Sequence, residues 1–268
     1  MNVVITGSTK GIGLGMAREF LRRGHDVFIS SRGADAVSRV TSELRQEFPQ
    51  RHIAGLPCDV ADYAQVEALW AAALEALGRV DIWINNAGRD GIKVPFFAIP
   101  PGDYVQTVNT NLIGLMNCNR VVIPGMYRQG GGRIFNMEGF GSDGRVRPTV
   151  APYGATKCAL RYFTTALVKE LEGTPVKMCY LSPGMVTTEM LVPPPERRSA
   201  AWERNKRILN ILADNVETVT PWLVEEVLKC DRHGGAVRWL TGRKIMWRFF
   251  TSLFYRRDVL SAVEQRGG

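Results

Sequence analysis

Short runs of β-branched residues alternate with stretches whose apolar residues recur at helical spacing, and the alternation starts with the first residues of the chain. Val3 to Ile5 reads as a strand, Gly11 to Arg23 as a helix, Val27 to Ser30 as a strand, Ala34 to Glu47 as a helix and Ile53 to Leu56 as a strand. A helix over Tyr63 to Leu77 follows, then strands at Ile82 to Asn85 and Arg133 to Asn136. A helix begins near Tyr153, and strands are expected at Val176 to Leu181 and Val237 to Leu240. Strands separated by crossover helices predict an α/β fold, a doubly wound parallel sheet. Ligands of such sheets bind at the carboxyl ends of the strands, which is where the polar motifs of this chain fall.

Composition changes that picture little. The 268 residues suffice for one large domain with a full core, and no linker, repeat or charge block divides them, so a single domain over 1–268 is expected. The five cysteines are dispersed without a C-x-x-C pair and only three histidines accompany them. That distribution points to a reducing compartment, thiols used as small core residues, and no metal site. The first strand begins at once and leaves no room for a leader, so the protein is expected to work where it is made unless a presequence has been removed. No apolar run approaches the ~20 residues that cross a bilayer. The net charge of +8 is spread along the chain with no recognition module, so nucleic acid is not an expected partner.

The turn after the first strand is T-G-S-T-K-G-I-G, Thr6 to Gly13. Gly7, Gly11 and Gly13 let the backbone approach a pyrophosphate, and the helix that opens there presents its N-terminal amides. Ser8, Thr9, Lys10 and Ile12 join them as candidate dinucleotide contacts. The spacing is G-x-x-x-G-x-G, and a bare cluster of this kind is also an ordinary tight turn. After the second strand stand Ser31 and Arg32, with no acid. An acid there holds a ribose 2′-hydroxyl and a base accepts a 2′-phosphate, so Arg32, with Lys10 from the glycine turn, favours NADPH over NADH. The alternative is a pair of solvated surface charges. Tyr153 and Lys157 stand four apart in Y-G-A-T-K. A helix brings them to one face, where the Lys157 ammonium favours the tyrosinate form of Tyr153, and a phenol so tuned can pass a proton at neutral pH.

With C-D-V at Cys58 to Val60, N-N-A-G at Asn85 to Gly88, N-L-I-G at Asn111 to Gly114 and S-P-G-M-V-T-T at Ser182 to Thr188, the chain resembles the short-chain dehydrogenase/reductase family over nearly its whole length. The resemblance implies a Rossmann fold in a homo-oligomer. It implies that Asp59 and Val60 contact the adenine and that Asn86, Ala87 and Gly88 line the cofactor cleft. Asn111 is then expected to support a proton relay through water to Lys157, which also holds the nicotinamide ribose. Tyr153 becomes the proton donor, and Pro183, Gly184, Val186 and Thr188 hold the nicotinamide carboxamide.

One position departs from that family. Most members carry a catalytic serine three residues after the asparagine that ends the fifth strand, and here Gly139 stands there. The run N-M-E-G-F-G-S-D-G has one extra residue before the tyrosine. Ser142 either takes the role, donating to the substrate oxygen as charge builds on it, or is a turn residue beside Gly141 and Gly144. Together with D-I-W-I-N-N-A-G, N-T-N-L-I-G, Y-G-A-T-K and L-S-P-G-M-V-T-T-E-M, this loop is similar to the chlorophyll b reductase branch of the family, which reduces a 7-formyl group. The resemblance implies NADPH-dependent reduction of chlorophyll b or chlorophyllide b to the 7-hydroxymethyl product. It places the protein in the cytoplasm or the chloroplast stroma, peripheral on the thylakoid or another membrane. A reductase of another hydrophobic aldehyde or ketone, steroid or lipid-derived, is the alternative. A catalytically inactive pigment-binding or assembly protein is the alternative of a different class.

Residues 189–215 fall where this architecture places its substrate cover. Met190, Leu191, Val192 and Pro193 to Pro195 offer an apolar, semi-rigid surface suited to a large flat ligand, or else a plain hydrophobic anchor for the loop. The tail, 238–268, interleaves Trp239, Trp247, Phe249, Phe250, Phe254 and Tyr255 with arginines and Lys244, and holds no acid from Arg238 to Arg257. That pattern suits an interfacial helix in an anionic headgroup layer, with Arg248, Arg256 and Arg257 beside the aromatics. A subunit interface, or a core helix whose cations point to water, is the other reading.

Overall fold

Val3, Val4 and Ile5 are wholly buried, because helices cover both faces of the sheet in whose interior the first strand lies, and a strand covered on both faces needs no polar side. In the computed structural model, which describes residues 1–192 and 200–261, this strand is β1 (Asn2–Thr6). It is followed by α1 (Gly11–Arg22), β2 (Asp26–Ser31), α2 (Ala34–Glu47), β3 (Ile53–Pro57), α3 (Tyr63–Leu77) and β4 (Ile82–Asn85). Then come α4 (Pro101–Val108), a π-helical turn (Asn109–Ile113), α5 (Gly114–Arg128), β5 (Gly132–Met137), α6 (Ala151–Glu170) and β6 (Val176–Ser182). The chain continues through β7 (Met185–Val186), α7 (Ala200–Leu212), β8 (Ala213–Asp214), α8 (Val216–Lys229), β9 (Ala236–Arg238) and α9 (Gly242–Thr251).

The main sheet runs β3-β2-β1-β4-β5-β6-β9 and is parallel throughout. Strand order reverses between β1 and β4, which opens a crevice at their carboxyl ends. On one face, Met16 and Phe20 of α1, Val40 and Leu44 of α2 and Leu223 of α8 form a single core. On the other, Leu69 and Trp70 of α3, Val122 and Met126 of α5 and Leu167 of α6 form a second. The short strands β7 and β8 pair with each other beside the carboxyl end of β6.

The doubly wound α/β sheet is the one the hydrophobic pattern predicts, and α2, α3 and β4 have the expected ends. Local chemistry fixes α3: the Asp62 side chain accepts from Gln65 N at 3.2 Å, and Gly78 ends the helix at φ 72°. The pattern gave no element between Asn85 and Arg133 or between Leu212 and Val237, where α4, α5, β8 and α8 lie. Pro124 and Pro221 sit inside α5 and α8 and read locally as helix breakers. The last strand ends at Arg238 and not at Leu240, because Trp239 N still donates to Ser182 O but Leu240 leaves to pack over Gly184. Cys58, Cys118 and Cys179 are buried as expected, whereas Cys158 is exposed on α6. It follows Lys157 by one residue and so points away from the face that Lys157 buries.

Candidate active site

The glycine turn is built for close backbone approach. Gly7 and Gly11 have φ of 63° and 57°, and a Cβ on Gly13 would come within 2.6 Å of Asn86 Nδ2. Asn86 donates from Nδ2 to Thr6 O and Gly7 O, each at 2.9 Å, while Asn86 N and Ala87 N donate to Thr6 Oγ1 at 3.1 and 3.0 Å. N-N-A-G is thereby laced to the turn across the β1/β4 crevice. Ser8 is spent in the fold: its hydroxyl donates to Ile5 O at 2.6 Å and accepts from Ser30 N at 2.9 Å. Thr9 is partly exposed, and Ile12 packs against the core. Lys10 precedes α1 without a side-chain cap, so the first-turn amides are left for an anion. A phosphate cradle of bare backbone is what a dinucleotide needs, and the residues fit one.

Ser31 ends β2 half-buried and Arg32 follows it, exposed and without an ion pair among the described residues. Lys10 is ion-paired with Glu189 instead of standing free, with both side chains largely exposed. Asp59 turns back to accept from Ala61 N at 3.0 Å, and Val60 is buried against Gly114.

At the other end of the crevice, α6 carries Tyr153 and Lys157 toward the end of β5. Lys157 is buried and donates from Nζ to Met137 O at 2.9 Å. Burial holds its ammonium down to about 8, with nearby Glu138 opposing that shift. Burial also pushes the Tyr153 phenol up, helped by Asp90 and opposed by Arg147. This corrects the expectation that Lys157 draws Tyr153 toward tyrosinate. Nζ stands 5.8 Å from the ring centre, and loss of water around the phenol outweighs it.

Asn111 lies in the π turn, buried, and its amide is committed at both ends. It donates to Arg89 O at 2.8 Å and to Thr156 Oγ1 at 3.1 Å, and its Oδ1 accepts from Arg89 N at 2.8 Å. A π turn inside a helix commonly marks a functional position, and here it aims Asn111 at the loop after N-N-A-G. Gly88 closes this corner, its would-be Cβ 3.4 Å from Asn111 Oδ1 and 4.0 Å from Lys157 Nζ.

Gly139 sits where no side chain fits. A Cβ there would come inside 3.0 Å of Tyr153 Oη and 3.1 Å from Lys157 Cε, so the phenol fills the space a serine would take. Ser142 is buried and bends back, its Oγ accepting from Gly139 N at 3.0 Å.

Beyond β6, Gly184 has φ 73° and Val186 is buried. Thr188 packs its methyl 3.3 Å from where Gly11 would carry a Cβ, which joins this segment to the glycine turn. In the expected cover, Val192 is buried with Trp202, Leu209 and Leu260, and Leu191 packs against them, so both anchor the loop and only Met190 is exposed. Pro193 to Pro195 lie outside the described residues, as does the end of the tail after Ser261. Apolar side chains stand exposed on the segments that leave the carboxyl ends of the strands: Ile92, Phe96 and Phe97 after β4, Val146 before α6, and Met190 after β7, with Phe97 91% and Val146 92% exposed. Lys93 ties the first of these loops to Met190 O at 2.6 Å.

The tail departs from expectation in its cations. Arg248 is 9% exposed and grips Asp214 through Nη2 at 2.9 and 2.7 Å. Arg257 reaches the same carboxylate at 2.6 Å, and Trp239 Nε1 does so at 2.6 Å. Neither arginine lies beside the aromatics at the surface, because a buried carboxylate draws both inward.

Fold and site together define a nicotinamide-dependent oxidoreductase. Residues 1–198 match the family model for short chain dehydrogenases, and the chain belongs to that family. It is 39% identical to a probable chloroplastic chlorophyll(ide) b reductase of Arabidopsis thaliana, over 95% of this chain and 53% of that one. Against a chloroplastic chlorophyll(ide) b reductase of Oryza sativa subsp. japonica it is again 39% identical, over 95% of this chain and 75% of the relative. The chain thus spans about half of the first relative's length. Among solved structures, actinorhodin polyketide ketoreductase with NADPH superposes with a TM-score of 0.78 at 29% identity, covering 90% of this chain and 96% of the other.

Three contributors escaped the sequence reading. Thr156 donates to Tyr153 O at 2.7 Å and receives Asn111. Arg89 clamps Asn111 by its backbone. Glu138 is 4% exposed, near Arg161 and Arg238 at 3.4 and 3.5 Å. Only Glu138 left a signal, as an acid directly after the strand β5.

Proposed function

We propose that this chain reduces the formyl group of chlorophyll b, or of chlorophyllide b, to a hydroxymethyl group with NADPH as the reductant. The observation that carries the reading is a set of exposed apolar side chains, Ile92, Phe96, Phe97, Val146 and Met190, on segments that leave the carboxyl ends of β4, β5 and β7, the side of the sheet where Tyr153 lies. A small polar substrate has no use for that surface, and a large flat pigment does. The names of the plant relatives support the same substrate. Arg32, exposed where an NADH enzyme would carry an acid, supports NADPH. The Lys10 pair with Glu189 is weak enough at the surface to yield to a phosphate dianion.

When bound, the reduced nicotinamide supplies the hydride. Tyr153 gives its proton from Oη to the carbonyl oxygen, and burial keeps that proton in place until the oxygen becomes basic. Lys157, still largely an ammonium at neutral pH, then stabilises the phenolate. Asn111 keeps the Arg89 loop and α6 in register through Thr156 and supports the relay that reprotonates the phenol. Because Ser142 Oγ accepts from Gly139 N, its own proton is left for the substrate oxygen. Under this reading the protein works in the stroma or cytoplasm beside the membrane that carries the pigment.

Chromatography of pigment after incubation of the purified protein with chlorophyll b and NADPH tests the proposal. A hydroxymethyl pigment formed in step with NADPH loss is expected. NADPH loss with a steroid or polyketide-like ketone and none with pigment would favour a different hydrophobic carbonyl. No turnover with any carbonyl would favour a non-catalytic pigment-binding protein.

A further inference from the structure

Helix α9 is amphipathic in an inverted sense. Its buried face carries a cation, Arg248, which donates to Leu212 O at 2.7 Å as well as to Asp214. Its outer face carries the apolar side chains. Met246, Trp247, Phe250, Leu253, Phe254 and Tyr255 are each more than half exposed. The rings touch in sequence, with Trp247 and Phe250 centred 6.0 Å apart and Phe250 and Phe254 5.5 Å apart, so they make one ridge. Scattered exposed apolar residues are ordinary, but a continuous aromatic ridge marks an interaction surface.

Charge identifies the occupant. Arg243 and Arg256 are exposed at the ends of the ridge and form no ion pair among the described residues. Lys244 lies beside them with its ammonium 2.9 Å from the Trp239 ring centre. No acid occurs between Asp231 and Asp258. A second copy docked on this face would press two cationic rims together, whereas an anionic surface neutralises them. At ten residues the helix is far short of the ~20 that span a bilayer, so it can lie on a membrane and not cross it.

We infer that α9 and the turn after it dock the protein on an anionic lipid surface. The aromatic ridge enters the acyl boundary and Arg243 and Arg256 lie among the headgroups. The buried Arg248–Asp214 pair fixes which face of the helix is presented. Lipid docking does not depend on which carbonyl compound is reduced.

Co-sedimentation with phosphatidylcholine vesicles, with and without phosphatidylglycerol, tests this on the full chain. Binding is expected only to the anionic vesicles and weakens as salt rises. The double variant Phe250→Ser with Phe254→Ser should weaken binding by roughly tenfold or more, since each buried ring contributes substantially. Turnover of a water-soluble aldehyde should stay as in the parent. Arg243→Glu with Arg256→Glu, which touches no core residue, should abolish the preference for anionic lipid. No vesicle binding by the parent, or binding by either double variant equal to the parent's, overturns the inference. So does light scattering that shows the Phe250/Phe254 variant splitting a parent oligomer, which would make the ridge a contact between copies.

Discussion

Replacing Gly139 by alanine adds one carbon at the most crowded point of the site. It would stand inside 3.0 Å of Tyr153 Oη, where ordinary contacts begin at 3.4 Å, and 3.1 Å from Lys157 Cε. Lys157 is held by Met137 O, so Tyr153 is the group that yields, by roughly 1 Å. A displacement of that size at a reacting group costs on the order of 10²-fold in rate. Overpacking costs the fold about 1–3 kcal/mol besides. NADPH is expected to rest mainly on the glycine turn and the end of β2, so its Kd should stay nearly unchanged. Measuring kcat with a saturating aldehyde, NADPH Kd by fluorescence and Tm separates the three effects. Gly139→Ser adds the same carbon and should fail alike, even though it restores the residue usual in the family. A kcat equal to the parent's in either variant would refute the steric reasoning.

Tyr153→Phe should lower kcat by about 10²–10⁴-fold, the usual contribution of a general acid, with NADPH binding intact; a loss below tenfold would remove the phenol from the mechanism. Arg32→Asp should weaken NADPH and admit NADH, read as the ratio of the two kcat/KM values, and an unchanged ratio would mean that Arg32 does not meet the phosphate. Ser142→Ala should lower kcat more than it raises KM, because a donor to developing charge acts in the transition state; an unchanged kcat would leave Ser142 as a turn residue. Since burial holds Lys157 at about 8, kcat/KM for NADPH should fall as pH rises through that value and the ammonium is lost. The stability effect runs the other way: with the folded value below the ordinary 10.5, the buried ammonium costs the fold most below about 8, and the cost is relieved as pH rises toward 10.5.

Much of the fold was legible because its signals are local. The apolar runs of β1 to β4 need no partner to be recognised, and Asp62 and Gly78 bound α3 from within a few residues. The glycine turn and Tyr153–Lys157 were legible for the same reason. Arg248 was not, because α9 carries several cations and the carboxylate that selects which one turns inward, Asp214, lies 34 residues earlier. Gly139 could be named as a missing serine, but the sequence does not show that the Tyr153 hydroxyl occupies the vacated space. The pKa directions were likewise out of reach, since they follow from burial that only the packed structure supplies.

Asp214 has a consequence for how this chain can be divided. It lies beyond residue 198, where the match to the family model stops, yet its carbonyl accepts from Thr187 N at 2.9 Å, next to the Thr188 that packs on the glycine turn. A chain cut after Arg238 would keep every shared motif and lose Arg248 and Arg257. Stripping the partner from a buried charge costs about 3–5 kcal/mol, a large share of the ~5–15 kcal/mol that holds a domain together. The shared motifs are therefore not a separable module with an appendage. A chimera that exchanges tails between relatives has to transplant the β7–β8 pair along with α9, or the grafted helix arrives without the carboxylate that orients it.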